Sequence, residues 1–472
     1  MLNLAEFRPR ARKLADWLPW VCLIAPGVVL NKDGSFQRTV RYRGPDLDSA
    51  TAAELISVTS RVNNVLKRFG SGWALFFDAE RVPATAYPRS SFPDAVSWLI
   101  DEERRAAFEA APPASIAEGE QTPNEHFESV CRLTFVHLPP AERVSRLEGF
   151  LLEKPSEKTR MAGSLFALLR RQRAQRSADQ PLPDASAQIE PKGAPEQTDG
   201  PEISPEPDEA DRSARAESGS PRPSAYREQL DLFIQETDRA IDLFASVLPE
   251  IRPLDDEETL TYLHACVSTR RHRVRLPEIP IYLDAILCDE PFTGGFAPAL
   301  GRSFLRTVTV LGFPSVTVPG VLDDLNRLGL AYRWVTRFIP LDRVAATNVL
   351  ARYRRQWFAK RKSVGAILKE VMFNEQAALL DTDADNKAAD ADAALQELGD
   401  DLVAFGYVTA TVTVADEDAR AAEEKIRAVE RAIHARGFTC IRESVNAVEA
   451  WLGSLPGHVY ANVRQPIIHT LN

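Results

Sequence analysis

The chain has 472 residues, of which 44% are hydrophobic and 26% charged, and its formal net charge is -10. That length holds two or three domains, and the composition is ordinary for a soluble globular protein. The acidic balance excludes bulk electrostatics as the driver of contact with nucleic acid or anionic lipid, so any such contact requires a local basic patch.

In chain order, Met1 to Trp17 carries Arg8, Arg10, Arg12 and Lys13 beside Phe7, Leu14 and Trp17. It reads as a frayed terminus or as a short basic amphipathic helix able to touch a membrane surface or a membrane partner. The apolar piece Leu18 to Leu30 is about 13 residues long, against roughly 20 needed to span a bilayer, and Pro19, Pro26 and Gly27 interrupt it. It therefore reads as buried strand and turn. Asn31-Lys32-Asp33-Gly34 is a turn signal, and Ser35 to Arg43 returns as the second arm of a hairpin. Thr51 and Glu54 have capping-box spacing, and Leu55, Val58, Val62, Val65, Leu66 and Phe69 follow with helical periodicity. Trp73 to Phe77 reads as a strand, Pro93 to Ala110 as a helix and Val130 to Leu138 as a strand, which gives an α/β layer structure. Arg143 to Leu152 reads as helical.

From Ser177 to Ser224 large apolar residues almost vanish and prolines alternate with Asp and Glu. Such a stretch cannot bury enough apolar area to offset its ordering entropy, so a disordered acidic insertion is expected over 177–224. Arg227 to Leu248 and Asp255 to Ser268 read as helices, Ile281 to Cys288 as a strand, and Pro291 to Gly301 as a loop. A doubled β-α-β pattern follows. Phe304 to Gly312, Val318 to Leu328 and Tyr332 to Ile339 form its first half. Phe405 to Val414, Asp416 to Arg436 and Phe438 to Ile441 form its second. Two such units predict a ferredoxin-like sandwich with a helical arm between them. The expected fold class is thus α/β (α+β). A docking domain with a β-hairpin spans 1–160, a helical connecting region 225–300, and a ferredoxin-like domain 301–449 with its arm at 341–398. The final stretch, 450–472, breaks at Gly453, turns through Ser454 to Gly457, and ends in Pro466-Ile467-Ile468, a run expected to lack a partner.

Catalytic signals are absent from the sequence. No Gly-x-x-x-x-Gly-Lys-Ser/Thr string supplies the backbone cradle and lysine of a P-loop; Gly70-Ser71-Gly72 lacks the lysine and precedes a strand. Asp381, Asp383 and Asp385 open like a calcium loop, but Asn386 and Asp392 stand where glycine and glutamate are needed, so they read as an acidic helix start. The seven histidines contain no metal-spaced pair, and His137 with Cys131 on one strand reads as a buried structural pair. Five scattered cysteines, an odd number, point to the reducing cytoplasm. No catalytic, cofactor-binding or metal residue is therefore assigned. The one candidate contact surface is the basic run Arg343, Arg352, Arg354, Arg355, Lys360, Arg361 and Lys362 with Trp357 interleaved. It reads as a solvated or partner-docking helix face, with single-stranded nucleic acid as the alternative. Arg270, Arg271, His272, Arg273 and Arg275 form a second basic cluster.

Several short strings occur together in order: Ala25-Pro26-Gly27 through Ser35, Gly44-Pro45-Asp46-Leu47, Arg354 to Ser363, Gly406-Tyr407-Val408-Thr409, Leu452 to Gly457, and Asn462, Arg464 and Pro466. Their order resembles the CagE/TrbE/VirB family of conjugation and type IV secretion motors, most of all its TrbE branch. The resemblance implies a region in front of a RecA-like ATPase domain, with 450–472 leading towards that domain. No residue here matches the family's ATP-binding lysine or magnesium carboxylate. It further implies a homo-oligomer peripheral to the cytoplasmic face of the bacterial inner membrane, docked on channel components. ATP and magnesium would be held outside this chain. The expected role is docking and assembly; the alternatives are a motorless scaffold subunit or a single-stranded DNA-binding module.

Overall fold

The computed structural model describes residues 13–45, 49–84, 86–88, 90–110, 126–139, 223–279, 281–314, 317–361, 398 and 401–471. Residues 1–138 and 230–472 form one compact unit and 139–229 a second. The expected helix at 143–152, the acidic insertion up to residue 222 and the aspartates at 381–385 lie outside the described residues.

The first unit starts with the short helix α1 (Leu14–Trp17), then the hairpin β1 (Trp20–Ala25) and β2 (Val28–Asn31), followed by β3 (Phe36–Arg43). The β1–β2 turn requires Gly27, whose φ is +67° and where a Cβ would lie 2.4 Å from the Leu254 carbonyl oxygen. Helix α2 (Ala52–Leu66) begins at the expected Thr51/Glu54 capping box. Strand β4 (Trp73–Pro83) outruns its expected end. Helix α3 (Ala95–Glu109) is capped by Asp94, whose side chain accepts from the Val96 and Ser97 amides, so Pro93 precedes the helix rather than opening it. Strand β5 (Phe127–His137), helix α4 (Pro223–Ala245), strand β6 (Glu250–Pro253) and helix α5 (Asp256–Val267) follow.

Three sequence expectations fail locally. Ile281 to Cys288 is not a strand: helix α6 (Leu283–Leu287) buries Leu283 and Leu287 on one face, an ambiguity that a short apolar run leaves open. The loop at 291–301 contains the small hairpin β7 (Phe292–Thr293) and β8 (Ala299–Leu300) before strand β9 (Ser303–Gly312). Val318 to Leu328 yields only a 3-10 turn, Asp323–Arg327; Gly320 and Gly329, both at positive φ, interrupt the helical path on either side of it. Strand β10 (Tyr332–Pro340), helix α7 (Arg343–Arg361), strand β11 (Phe405–Asp416), helix α8 (Ala419–Ala435), strand β12 (Thr439–Arg442), helix α9 (Ala447–Leu452) and strand β13 (Ile467–His469) complete the order.

All of these strands join one antiparallel sheet in the order β1-β2-β3-β5-β4-β10-β11-β9-β8-β7, with β12 on β9, β13 on β11 and β6 on β3. The sub-order β10-β11-β9-β12 is that of a ferredoxin-like α+β sandwich. The β4–β10 ladder, from Tyr332↔Arg81 to Phe338↔Leu75, joins this portion to the N-terminal strands without a break. Strand alternation divides the side chains between two faces. Leu75, Phe135, Phe338 and Val408 meet helices α2 and α4 through Val65, Phe69, Phe233 and Phe244. Further along the same face, Ile426, Val429 and Ile433 of α8 cover Val308, Val310 and Val412. The opposite face receives α5 and the chain after α9.

The C-terminal run expected to lack a partner has one. Strand β9 pairs only with Ala410 to Asp416 of β11, which leaves the start of β11 open on that side, and β13 pairs there with Phe405, Gly406 and Tyr407. An open edge of this kind is a template for strand addition.

Candidate docking surface and C-terminal clamp

Of the candidate contact residues, Arg343 and Arg352 are exposed on α7, which seats Ala346 and Leu350 against Leu398, Val403 and Phe405. Arg354, Arg355, Trp357, Lys360 and Arg361 continue along the same helix with no side-chain geometry described, and Lys362 lies outside the described residues. In the second basic cluster, Arg271 pairs with Glu80 at 2.5 Å, Arg273 with Glu257 at 2.5 Å, and Arg270 with Asp289 and Glu290 at 3.9 and 3.7 Å. These bases are matched by acids of the same chain. The amide of Ser71 in the Gly70-Ser71-Gly72 loop donates to the Asp342 carboxylate at 2.8 Å, so an acid occupies the place a phosphate would need. His137 and Cys131 do not form a pair: six residues separate them by about 20 Å along a strand. His137 instead stacks on Trp73, with ring centroids 4.5 Å apart. Burial lowers its pKa and raises that of Cys131.

A buried polar layer that the sequence reading missed lies on the α5 face of the sheet. Asp78 is fully buried and accepts from Tyr262 Oη at 2.8 Å and from Arg333 Nη2 at 2.7 Å. Glu80 accepts from Arg132 at 2.9 Å. Burial alone would lift the Glu80 carboxyl, but the Arg271, Arg132 and Arg333 guanidiniums hold it below its usual range. Burial and the Asp78 charge push the Tyr262 phenol well up. Burial also pushes the Cys266 thiol up to about 12, so it is no nucleophile. The signal in the sequence was Asp78-x-Glu80 on β4 opposite Arg333-x-x-x-Arg337 on β10, acids and bases at the same strand parity.

This layer grips the C-terminal segment. Arg333 Nη2 donates to the Ser454 carbonyl at 3.2 Å. Arg337 is fully buried and donates to the carbonyls of His458 at 3.1 Å and Ala461 at 2.7 Å and to Thr409 Oγ1 at 3.1 Å. Trp20 Nε1 donates to the Pro456 carbonyl at 2.8 Å, and Arg464 donates to Glu443 at 2.7 Å. Asn462, at φ +68°, accepts from the Arg464 amide and from Asn446 Nδ2. Gly457, at φ +87°, sits where a Cβ would lie 2.4 Å from Gln37 Oε1. These groups have the chemistry of a clamp: donors aimed at carbonyls, with no activated nucleophile or general base among them.

The exposed counterpart is α3. Phe108 stacks on His126 at 4.6 Å and meets Tyr87 edge-on, and Tyr87 Oη donates to Asp101 at 2.7 Å, which ties the helix to the start of β5. None of its residues is buried. Val96, Leu99 and Ile100, at i, i+3 and i+4, are exposed with Trp98 beside them, a large apolar surface for one helix.

Comparison with known proteins gives two family matches. Residues 27–145 match the N-terminal domain of the type IV secretion system ATPase VirB4/TrbE. Residues 358–464 match the CagE, TrbE, VirB family, a component of a type IV transporter system. The conjugal transfer protein TrbE of Rhizobium radiobacter is 32% identical over 475 aligned positions, covering 100% of this chain and 50% of that protein. In Sinorhizobium fredii a probable conjugal transfer protein TrbE is described as two separate portions. The first portion is 42% identical over 111 residues, 23% of this chain and 74% of that portion. The second portion is 38% identical over 216 residues, 46% of this chain and 32% of that portion. The chain thus spans half the length of the Rhizobium radiobacter relative.

Proposed function

Because the chain belongs to the CagE/TrbE/VirB family of type IV transporter components, we propose that it is the docking and assembly region of a conjugative-transfer ATPase. In this reading the sheet is a platform between two contacts. Helix α3 meets a channel component at the cytoplasmic face of the inner membrane. The clamped segment 454–464 hands the platform on to a motor, where ATP and magnesium are held and hydrolysis drives pilus assembly and substrate transfer. The region works as a homo-oligomer.

The observation that carries the reading is the exposed apolar face of α3, which lies inside the stretch matching the family's N-terminal domain. No helix among the described residues is long and apolar enough to cross a membrane. Attachment is assigned to a protein partner because the α3 face is apolar and open.

The test is co-sedimentation of the purified chain with membranes prepared with and without the channel components. Recruitment is expected only with the components present. Trp98→Glu with Leu99→Glu is expected to abolish it while leaving the thermal midpoint unchanged, since neither side chain is buried. Equal recruitment to bare lipid, lost on deletion of residues 1–17, would overturn the reading in favour of a direct membrane anchor. Undiminished recruitment of the double variant would remove α3 from it.

A further inference from the structure

Helix α8 ends at Gly437, whose φ of +80° turns the chain back so that β12 runs beside the helix terminus. That turn brings Cys440 against His434, and the helix itself places Glu430 one turn before His434. One donor atom from each of Glu430, His434 and Cys440 lies within 4.8 Å of the other two. His434 Nε2 is 3.6 Å from Cys440 Sγ and 3.9 Å from Glu430 Oε1. Ligands around a tetrahedral zinc ion, at about 2.0–2.3 Å from the metal, stand about 3.3–3.6 Å apart, so the trio needs only a small contraction to close on one ion.

The surroundings orient the donors. His434 Nδ1 is 3.0 Å from the Phe438 carbonyl, a bond that puts the proton on Nδ1 and leaves Nε2 with its lone pair towards Cys440. Arg442 Nε takes the other carboxylate oxygen, Glu430 Oε2, at 3.1 Å, which leaves Oε1 turned towards His434. Arg442 is itself shared with Glu423, so its charge is not concentrated on Glu430. Cys440 is buried and Glu430 partly buried while His434 is exposed, so an ion has a route in along His434 and a fourth position facing water.

We propose that Glu430, His434 and Cys440 form a zinc site with one open coordination position. One thiolate, one imidazole and one carboxylate are a donor set suited to zinc, and calcium or magnesium would not take the sulfur. On binding, the Cys440 thiol gives its proton to solvent and its sulfur ligates the metal. The bound ion staples the end of α8 to β12, and its open position is free to accept a donor from a neighbouring protein.

Cobalt(II) titration of the chelator-stripped, desalted chain tests this. One cobalt per chain is expected, with a near-ultraviolet thiolate-to-cobalt band and visible bands of tetrahedral strength, both bleached by added zinc. Cys440→Ser should remove the near-ultraviolet band. Glu430→Gln, which keeps the side chain's size, should weaken cobalt binding by about tenfold or more. Absence of the near-ultraviolet band at millimolar cobalt would overturn the proposal. So would a band that survives Cys440→Ser, or an affinity unchanged in both Glu430→Gln and His434→Ala.

Discussion

Replacing Arg337 with methionine tests whether the C-terminal segment is held by the sheet or merely lies on it. The guanidinium makes three hydrogen bonds, to the carbonyls of His458 and Ala461 and to Thr409 Oγ1. A bond from a charged donor contributes about 1.5–3 kcal/mol, so three contribute about 4.5–9 kcal/mol. Against this stands desolvation, which pulls the Arg337 pKa from its ordinary value down to about 10. That difference corresponds to about 3 kcal/mol. Methionine removes the penalty together with the bonds, and the net loss is about 1.5–6 kcal/mol. Even the lower figure makes the segment open about tenfold more often. Hydrogen exchange followed by mass spectrometry reads this directly. Peptides covering 454–462 should lose protection by at least that factor, while the β4–β5 ladder on the other side of β10 keeps its own. Unchanged exchange over 454–462 in a folded Arg337→Met variant would refute the clamp.

Gly406→Ala would place a Cβ 2.3 Å from Phe338 Cε2 and 2.6 Å from the Ile339 carbonyl oxygen at the point where β13 joins β11. The forced shift should cost about 1–3 kcal/mol and lower the thermal midpoint; an unaltered midpoint would show that the β10 contact yields freely. Acid sensitivity should also appear. The bidentate bond from Arg252 holds the Glu258 pKa down to about 2 from 4.5, and Glu80 is lowered as well. Both folded-state values lie below the unfolded ones, so this stability is present above about pH 4.5 and is lost as pH falls towards 2. The thermal midpoint should therefore drop between pH 5 and 2, less steeply in Glu258→Gln; a flat profile would count against both pairs.

Local chemistry was legible in the sequence, and long-range chemistry was not. The capping box at Thr51/Glu54 acts within three residues, and the strand periods of β3, β10 and β11 act within one element. The clamp joins Trp20 to Pro456 and Arg337 to Ala461, partners that no spacing rule connects. The Glu430/His434/Cys440 trio falls between these cases. Its first two members are helical neighbours, but the third arrives only through the Gly437 turn. The same limit explains the reading of Pro466-Ile467-Ile468 as a run without a partner, since the open start of β11 is visible only once the sheet is assembled.

The position of the buried arginines follows from the chain they hold. After α9 the backbone from Ser454 to Arg464 is irregular, with Ser454, Leu455, Ala461 and Asn462 buried and no regular ladder to satisfy their carbonyls. Buried carbonyls without donors are costly, and a neutral side chain offers too few. Arginine offers five donors in a rigid fork and still reaches from a strand, which accounts for Arg333 and Arg337 at the same parity of β10. Asp78 is then required beneath Arg333 to offset one of the two charges, while Arg337 relies on neutral acceptors alone. The Leu-Gly-Ser-Leu-Pro-Gly string and the Asn-x-Arg-x-Pro string that follows it therefore have a packing role: their glycines and Asn462 shape a segment whose carbonyls face the arginine forks. A pull along residues 454–464 would be resisted first at those carbonyls, so substitutions at Arg333 and Arg337 should release that segment from the sheet before they unfold the sheet itself.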